Sequence, residues 1–116
     1  KPRDHRHAVA QLTALSGRTV VFHTGLALFD AARGTGQTAM VDVRSTFREL
    51  APAEIEAYLL RDQPYDCAAS VKSDELGIVL FERIESDDPT ALIGLPLIRL
   101  TDMLHAAGVA ILTPPA

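Results

Sequence analysis

Lys72 and Asp74 stand two residues apart in the stretch "CAASVKSDELGI" at 67–78. In extended chain, residues two apart point to the same face. An ammonium and a carboxylate then share one side. Such a pair can hold a phosphate with its cation and a nucleobase edge with its acceptor-only carboxylate. It can equally be a solvated surface pair of little energetic weight. Ala68, Ala69 and Ser70 precede it. A surface turn has no need of three small residues in a row, and small side chains leave room for close approach. The residue types alone leave both readings open.

Other chemistry-bearing groups read more plainly. "RGTGQT" at 33–38 lacks the Gly-Lys-Ser/Thr ending of a phosphate loop and lies between two strand-like runs, so it reads as a hairpin loop. His5, His7, His23 and His105 show no zinc-ligand spacing, and Cys67 has no second cysteine to join it. Asp66 beside Cys67 disfavours a thiolate, so Cys67 reads as a small buried residue. Asp87 and Asp88 precede Pro89, a pattern of turn chemistry before it is one of cation binding.

The elements that must position these groups belong to a small globular chain. At 116 residues there is room for one domain or a piece of one. A composition of 47% hydrophobic and 22% charged residues excludes a disordered chain. The net charge of −4 argues against a nucleic-acid surface, yet one anionic small ligand needs only a cation or two. A single cysteine excludes an internal disulfide and suits a reducing, cytoplasmic setting. The longest nearly apolar run, "ALIGLPLI" at 91–98, is too short to cross a bilayer.

Periodicity predicts an order of α, β, β, α, β, α, β. Asp4 is the expected N-cap of a first helix whose Ala8, Val9, Leu12 and Leu15 share a face, with Gly17 just past its end. "RTVVFHTGLALFD" and "AMVDVRSTFREL" read as the strands of a long hairpin. "LAPAEIEAYLLRD" reads as a helix with Pro52 in its first turn and a buried stripe of Ile55, Tyr58 and Leu59. A connection at 63–75 leads to an expected strand "LGIVLFERI". The helix "GLPLIRLTDMLHAAG" closes at Gly108, and "VAIL" is expected to form a last strand before the "TPPA" tail.

Several segments together resemble the Maf family of nucleotide pyrophosphatases. "KP" at the start resembles the end of the family's Gly-Lys-Pro motif, and "LTALSGRTVVFHTGLAL" its Leu-Ser-Gly-Arg helix-to-strand signature. "TFRELAPAEIEAYL" matches its Phe-Arg-x-Leu-x-x-x-Glu-Ile-x-x-Tyr segment, and "ALIGLPLIRLTDML" its Gly-Leu-Pro-Leu ending. The resemblance runs in register over essentially the whole chain. It implies an α/β fold of Maf/ITPase-like type, a mixed sheet flanked by helices. The family's Ser-Pro-Arg-Arg stretch, and the Ser-Asp-Gln/Thr stretch whose Asp is taken as the general base, do not occur in these 116 residues. The chain is therefore expected to be the C-terminal portion, 1–116, of a single Maf-like domain, and to be inactive alone.

The branch of the family follows from the segment at 67–78. A branch acting on dTTP and UTP carries Ala-Gly-x-Tyr-x-Ile-Gln-Gly there. A branch acting on 7-methyl-GTP carries Cys-Ala-Gly-Ser-Phe-Lys-x-Glu-x-Leu-Gly-Ile, followed later by Asp-Asp-Pro-Thr-Ala-Leu-Ile-Gly-Leu-Pro-Leu-Ile. "CAASVKSDELGI" and "DDPTALIGLPLI" resemble the second. Asp74 then falls at the base-reading position. A carboxylate pairs with the adjacent N1–H and amine of guanine, and methylation at N7 strengthens that pairing. Ala69 stands where the branch has Gly, a strained choice if φ is positive there. Val71 replaces Phe, and Glu75 stands where Gly is usual.

The resemblance implies hydrolysis of a nucleoside triphosphate, 7-methyl-GTP or a related modified nucleotide, to monophosphate and pyrophosphate. Lys1 is implied as a phosphate-binding residue, Lys72 as a contact to phosphate or base, and Asp74 as the base reader. A divalent cation, Mg²⁺ or Mn²⁺, is implied at the phosphates. The expected partner is the nucleotide, with no nucleic acid and no membrane. Two other readings stand beside this one: a non-catalytic nucleotide-binding or division-related module, and an assembly role in which a sheet edge pairs in a homodimer.

Overall fold

The computed structural model describes residues 1–73 and 75–113. In chain order it contains α1 (His5–Leu15), β1 (Thr19–Asp30), β2 (Thr35–Phe47), α2 (Pro52–Asp62), β3 (Phe81–Glu85) and α3 (Leu97–Ala106). Short 3-10 turns occupy Ala68–Ser70, Leu76–Leu80 and Pro89–Leu92. The strands form one sheet in the order β1-β2-β3, with β2 and β3 antiparallel. The mixed sheet expected from the sequence is thus, among the described residues, a hairpin extended by one antiparallel strand. No described helix is long and apolar enough to cross a membrane.

The residues form two compact units: Lys1–Val21 with Arg44–Glu85, and Phe22–Val43 with the chain from Ser86 onward. In the first unit, α1 begins where Asp4 accepts the His7 N–H at 2.9 Å and ends before Gly17, whose φ of 71° only glycine adopts freely. Ala8 and Leu12 are its buried residues. Helix α2 starts with Pro52 and buries Ile55, Tyr58 and Leu59, the stripe that the periodicity predicts. The Glu54 carboxylate reaches back to the Ala51 N–H at 2.9 Å; alanine offers no acceptor in return, so only half a capping box forms.

The expected strand at 76–84 is corrected by the structure. Leu76–Leu80 is a 3-10 turn, and β3 covers only Phe81–Glu85. A strand exists only where a neighbour offers a ladder, and β2 pairs with β3 from Arg44 to Phe47. Past that point the Arg48 N–H takes the Leu80 carbonyl, and the Phe47 N–H takes that of Arg18. A register shift between Thr46 and Phe47 sets Phe81, rather than Glu82, opposite Phe47. Without it the period-2 alternation would face a carboxylate into the core. With it, the buried Phe47 and Phe81 rings meet at 4.6 Å between centroids, and Glu82 stays exposed.

In the second unit, inner and outer residues alternate along β1, with Phe22, Leu26 and Leu28 half-buried on one side. β2 begins at Thr35, so the glycine-rich loop is shorter than expected. His23 lies exposed in β1 with Nδ1 at 2.6 Å from the Asp42 carboxylate, a surface pair rather than a ligand set. Gln37 donates to the Met103 carbonyl at 2.8 Å. The last strand expected at "VAIL" is absent: the described residues after Gly108 form no strand, and the end of the tail lies outside the described residues.

Helix α3 has no cap of its own, because its N-cap is Pro96. Its free N–H groups are taken from outside. Thr90 Oγ1 accepts the Leu97 N–H at 2.7 Å, and Asp88 Oδ2 accepts the Arg99 N–H at 2.8 Å. The Thr90 hydroxyl in turn donates to Asp88 Oδ1. Asp88 is only 3% exposed. Burial pushes its carboxyl upward, but the hydrogen bonds from Thr90 and from the α3 backbone together outweigh burial, and its pKa is lowered. A group with a lowered folded pKa contributes stability above its unfolded pKa and loses it as pH falls through the folded one. Asp88→Asn is therefore expected to lower the thermal midpoint at neutral pH and to shrink the further loss seen below about pH 4. Thermal unfolding of both proteins from neutral to acid pH checks this; parallel curves would show that Asp88 carries no such linkage.

Candidate functional site

The connection between α2 and β3 is irregular yet partly buried, with Pro64, Ala69, Ser70, Val71, Gly77 and Leu80 buried, so backbone groups there must find partners without a ladder. Gln63 caps α2 in the left-handed region, with φ 46°. Ala69 and Ser70 follow at φ 57° and 59°. Arg3, at φ 73°, is the fourth non-glycine residue of this kind among the described residues. All four lie in the first unit, and Arg3 is tied to the connection that carries the others, its N–H donating to the Tyr65 carbonyl at 2.9 Å. Each left-handed alanine or serine costs about 1–3 kcal/mol and persists only where the surroundings impose it.

The surroundings that impose it are identifiable. Ser70, fully buried, donates its hydroxyl to Gln11 Oε1 of α1 at 2.6 Å. The Lys72 N–H donates to the Tyr58 hydroxyl of α2 at 2.8 Å. The Lys72 carbonyl accepts from both the Glu75 and Gly77 N–H groups at 3.1 Å, closing a turn over 72–77. A side chain at Gly77 would put its Cβ 2.4 Å from that carbonyl oxygen, so only glycine fits. The turn is thereby held at one end by Tyr58 and tightened at the other by Gly77.

Lys72 is half-buried in this turn, and Asp74 lies outside the described residues. Lys1 is exposed, while Pro2 beside it is buried and Arg3 is fixed on Tyr65. The structure thus brings the segment bearing Lys1 onto the connection that leads to Lys72. Neither ammonium enters an ion pair among the described residues. His5, expected to be unremarkable, joins the same neighbourhood: its ring nitrogens lie 2.9 Å from the Tyr65 hydroxyl and 2.8 Å from the Glu56 carboxylate.

Tyr58 is the residue whose role the sequence reading missed, having placed it only in a buried stripe. It is 3% exposed, and burial, with the Asp62 carboxylate nearby, pushes its ionisation far above the ordinary phenol range despite the opposing Lys72 N–H. It therefore stays a neutral hydroxyl at any working pH. The available signal was chemical: a tyrosine in an apolar stripe must find a partner for its oxygen. Of the departures from the branch pattern, Ala69 does sit at positive φ, whereas Glu75, at φ −124°, needs no glycine.

Residues 1–107 match the family model described as Maf-like protein. The chain belongs to the Maf-like family. Among curated relatives, it is 56% identical over 116 residues to the 7-methyl-GTP pyrophosphatase of Thiobacillus denitrificans, covering all of this chain and 58% of that protein. It is 56% identical over 108 residues to the protein of that name from Cupriavidus metallidurans, covering 93% and 54%. With that from Burkholderia pseudomallei it shares 51% over 116 residues, covering 100% and 54%. The chain spans somewhat more than half the length of these Maf-like relatives.

Two substitutions test the strained connection. Ala69→Gly relieves the left-handed alanine and is expected to stabilise the fold by about 0.5–1 kcal/mol, net of glycine's extra unfolded-state freedom. A fall in the unfolding midpoint would show that the methyl group matters more than the strain. Gly77→Ala drives a Cβ onto the Lys72 carbonyl and is expected to cost about 1–3 kcal/mol in urea unfolding. An unchanged midpoint would mean that the turn is not closed as described.

Proposed function

We propose that the full-length protein is a nucleoside triphosphate pyrophosphatase whose preferred substrate is 7-methyl-GTP. What carries the reading is the likeness, over essentially all of this chain, to relatives named 7-methyl-GTP pyrophosphatase. The strained, small-residue connection at 67–77 supports it, because strain in an over-determined loop is a feature of ligand sites. In the reaction, the oxygen of water bonds to the α-phosphorus and gives up a proton to a general base, the bond from that phosphorus to the bridging oxygen of the β-phosphate breaks, and pyrophosphate leaves with the electron pair. Lys1 and Lys72 would neutralise phosphate charge, and Asp74 would accept from N1–H and the amine of guanine.

A divalent cation, Mg²⁺ or Mn²⁺, belongs to the same proposal. Among the described residues no three His, Cys, Asp or Glu side chains gather to hold one. The ion would be held by the phosphates of the substrate, the common arrangement for Mg²⁺ at nucleotide sites. The reading further takes the protein to be cytoplasmic, to act on free nucleotides rather than on nucleic acid or membranes, and to form a homodimer.

Initial rates of pyrophosphate release by the full-length protein from 7-methyl-GTP, GTP, UTP and dTTP test this. The expected order puts 7-methyl-GTP first, and Asp74→Gln should shift the ratio toward the pyrimidines, because an amide can both donate and accept. Preference for UTP or dTTP by the unaltered protein would overturn the assignment. An unchanged ratio in Asp74→Gln would remove Asp74 as the base reader.

A further inference from the structure

We infer that Tyr58 is a positioning residue for nucleotide recognition, holding the 72–77 turn from helix α2 through the peptide N–H of Lys72. The inference rests on the functional reading above and deepens it. The Tyr58 hydroxyl is the only acceptor that the structure gives the Lys72 N–H among the described residues. The same peptide's carbonyl closes the turn onto Glu75 and Gly77. One buried hydroxyl on a rigid helix therefore fixes one end of a turn whose other end is fixed by a glycine contact. The turn opens at Lys72, one of the proposed nucleotide contacts.

Asp62 extends the device. Its Oδ2 is buried with no hydrogen-bond partner among the described residues, and its charge acts on Tyr58 one helical turn earlier in α2. A phenol that accepts from Lys72 still has its own proton to give, and Asp62 is the carboxylate whose charge bears on it, although the two side chains form no hydrogen bond in this structure. Were that proton turned toward Asp62, the phenol would keep a lone pair for the Lys72 N–H. The pair would set the direction of the hydroxyl as well as its place. Asp62 lies in the last turn of α2, where a carboxylate opposes the helix dipole, so its presence there needs a local reason.

The test is steady-state kinetics of the full-length protein on 7-methyl-GTP, comparing Tyr58→Phe, Asp62→Asn and, as a purely structural control, Ile55→Val in the same helix. Tyr58→Phe is expected to raise KM about tenfold with kcat within about twofold, the pattern of lost ground-state binding. Asp62→Asn should move KM in the same direction by less. Ile55→Val should lower the thermal midpoint and leave KM alone. Should Tyr58→Phe fail to fold, the Asp62→Asn comparison decides. An active wild-type enzyme with unchanged KM in Tyr58→Phe and Asp62→Asn would overturn the inference, as would an equal KM rise in Ile55→Val. Absence of turnover of every nucleoside triphosphate by the unaltered protein would instead overturn the functional reading, and this inference with it.

Discussion

The peptide group of Lys72 is where the first unit is tied together. Its N–H goes to a side chain of α2, and its carbonyl serves two N–H groups of the turn that follows. A partly buried connection without a ladder must satisfy its backbone one group at a time. Everything nearby follows from that need. Gly77 has to be glycine to come close enough, Tyr58 has to keep its hydroxyl turned to the Lys72 N–H, and Ala69 and Ser70 just before it pass through the left-handed region. The strain at Ala69 and Ser70 is held by a fully buried hydroxyl bonded to α1.

The second unit solves a similar problem differently. Helix α3 starts at a proline that can offer no side-chain cap, and its first N–H groups are served by Thr90 and Asp88, up to eleven residues upstream. The aspartate-proline sequence is thus turn chemistry, as its residue types suggest, but the turn exists to cap a helix. Ser86 belongs to the same arrangement, donating to the Asp42 carbonyl and accepting the Asp88 N–H. In both units a short polar segment does the work of regular structure at a place where regular structure stops.

Where elements were legible in the sequence, local rules governed them. The α1 cap at Asp4, the Gly17 exit, Pro52 at the head of α2 and its Ile55–Tyr58–Leu59 stripe all depend on residues within a turn or two of one another. Where the reading failed, a distant partner decided. "LGIVLFERI" has the composition of a strand throughout, but only its second half meets β2, and the first half is drawn into a turn by the Lys72 carbonyl. "VAIL" has strand composition too, and no described strand pairs with it. Family motifs led to the candidate segment directly; they did not show what holds it.

The sequence by itself determined the family, the helices and the hairpin, because periodicity, capping and motif spacing are properties of residues close in the chain. It also located the segment at 67–78 and raised the question of a strained Ala69. Only the tertiary structure decided that φ there is positive, that the strand is half as long as its apolar run, and that Tyr58 belongs to the candidate site as well as to the core. These depend on which hydrogen-bond partners the folded chain brings within about 3 Å, and the separation of 14 positions between Tyr58 and Lys72 leaves that choice to packing rather than to local preference.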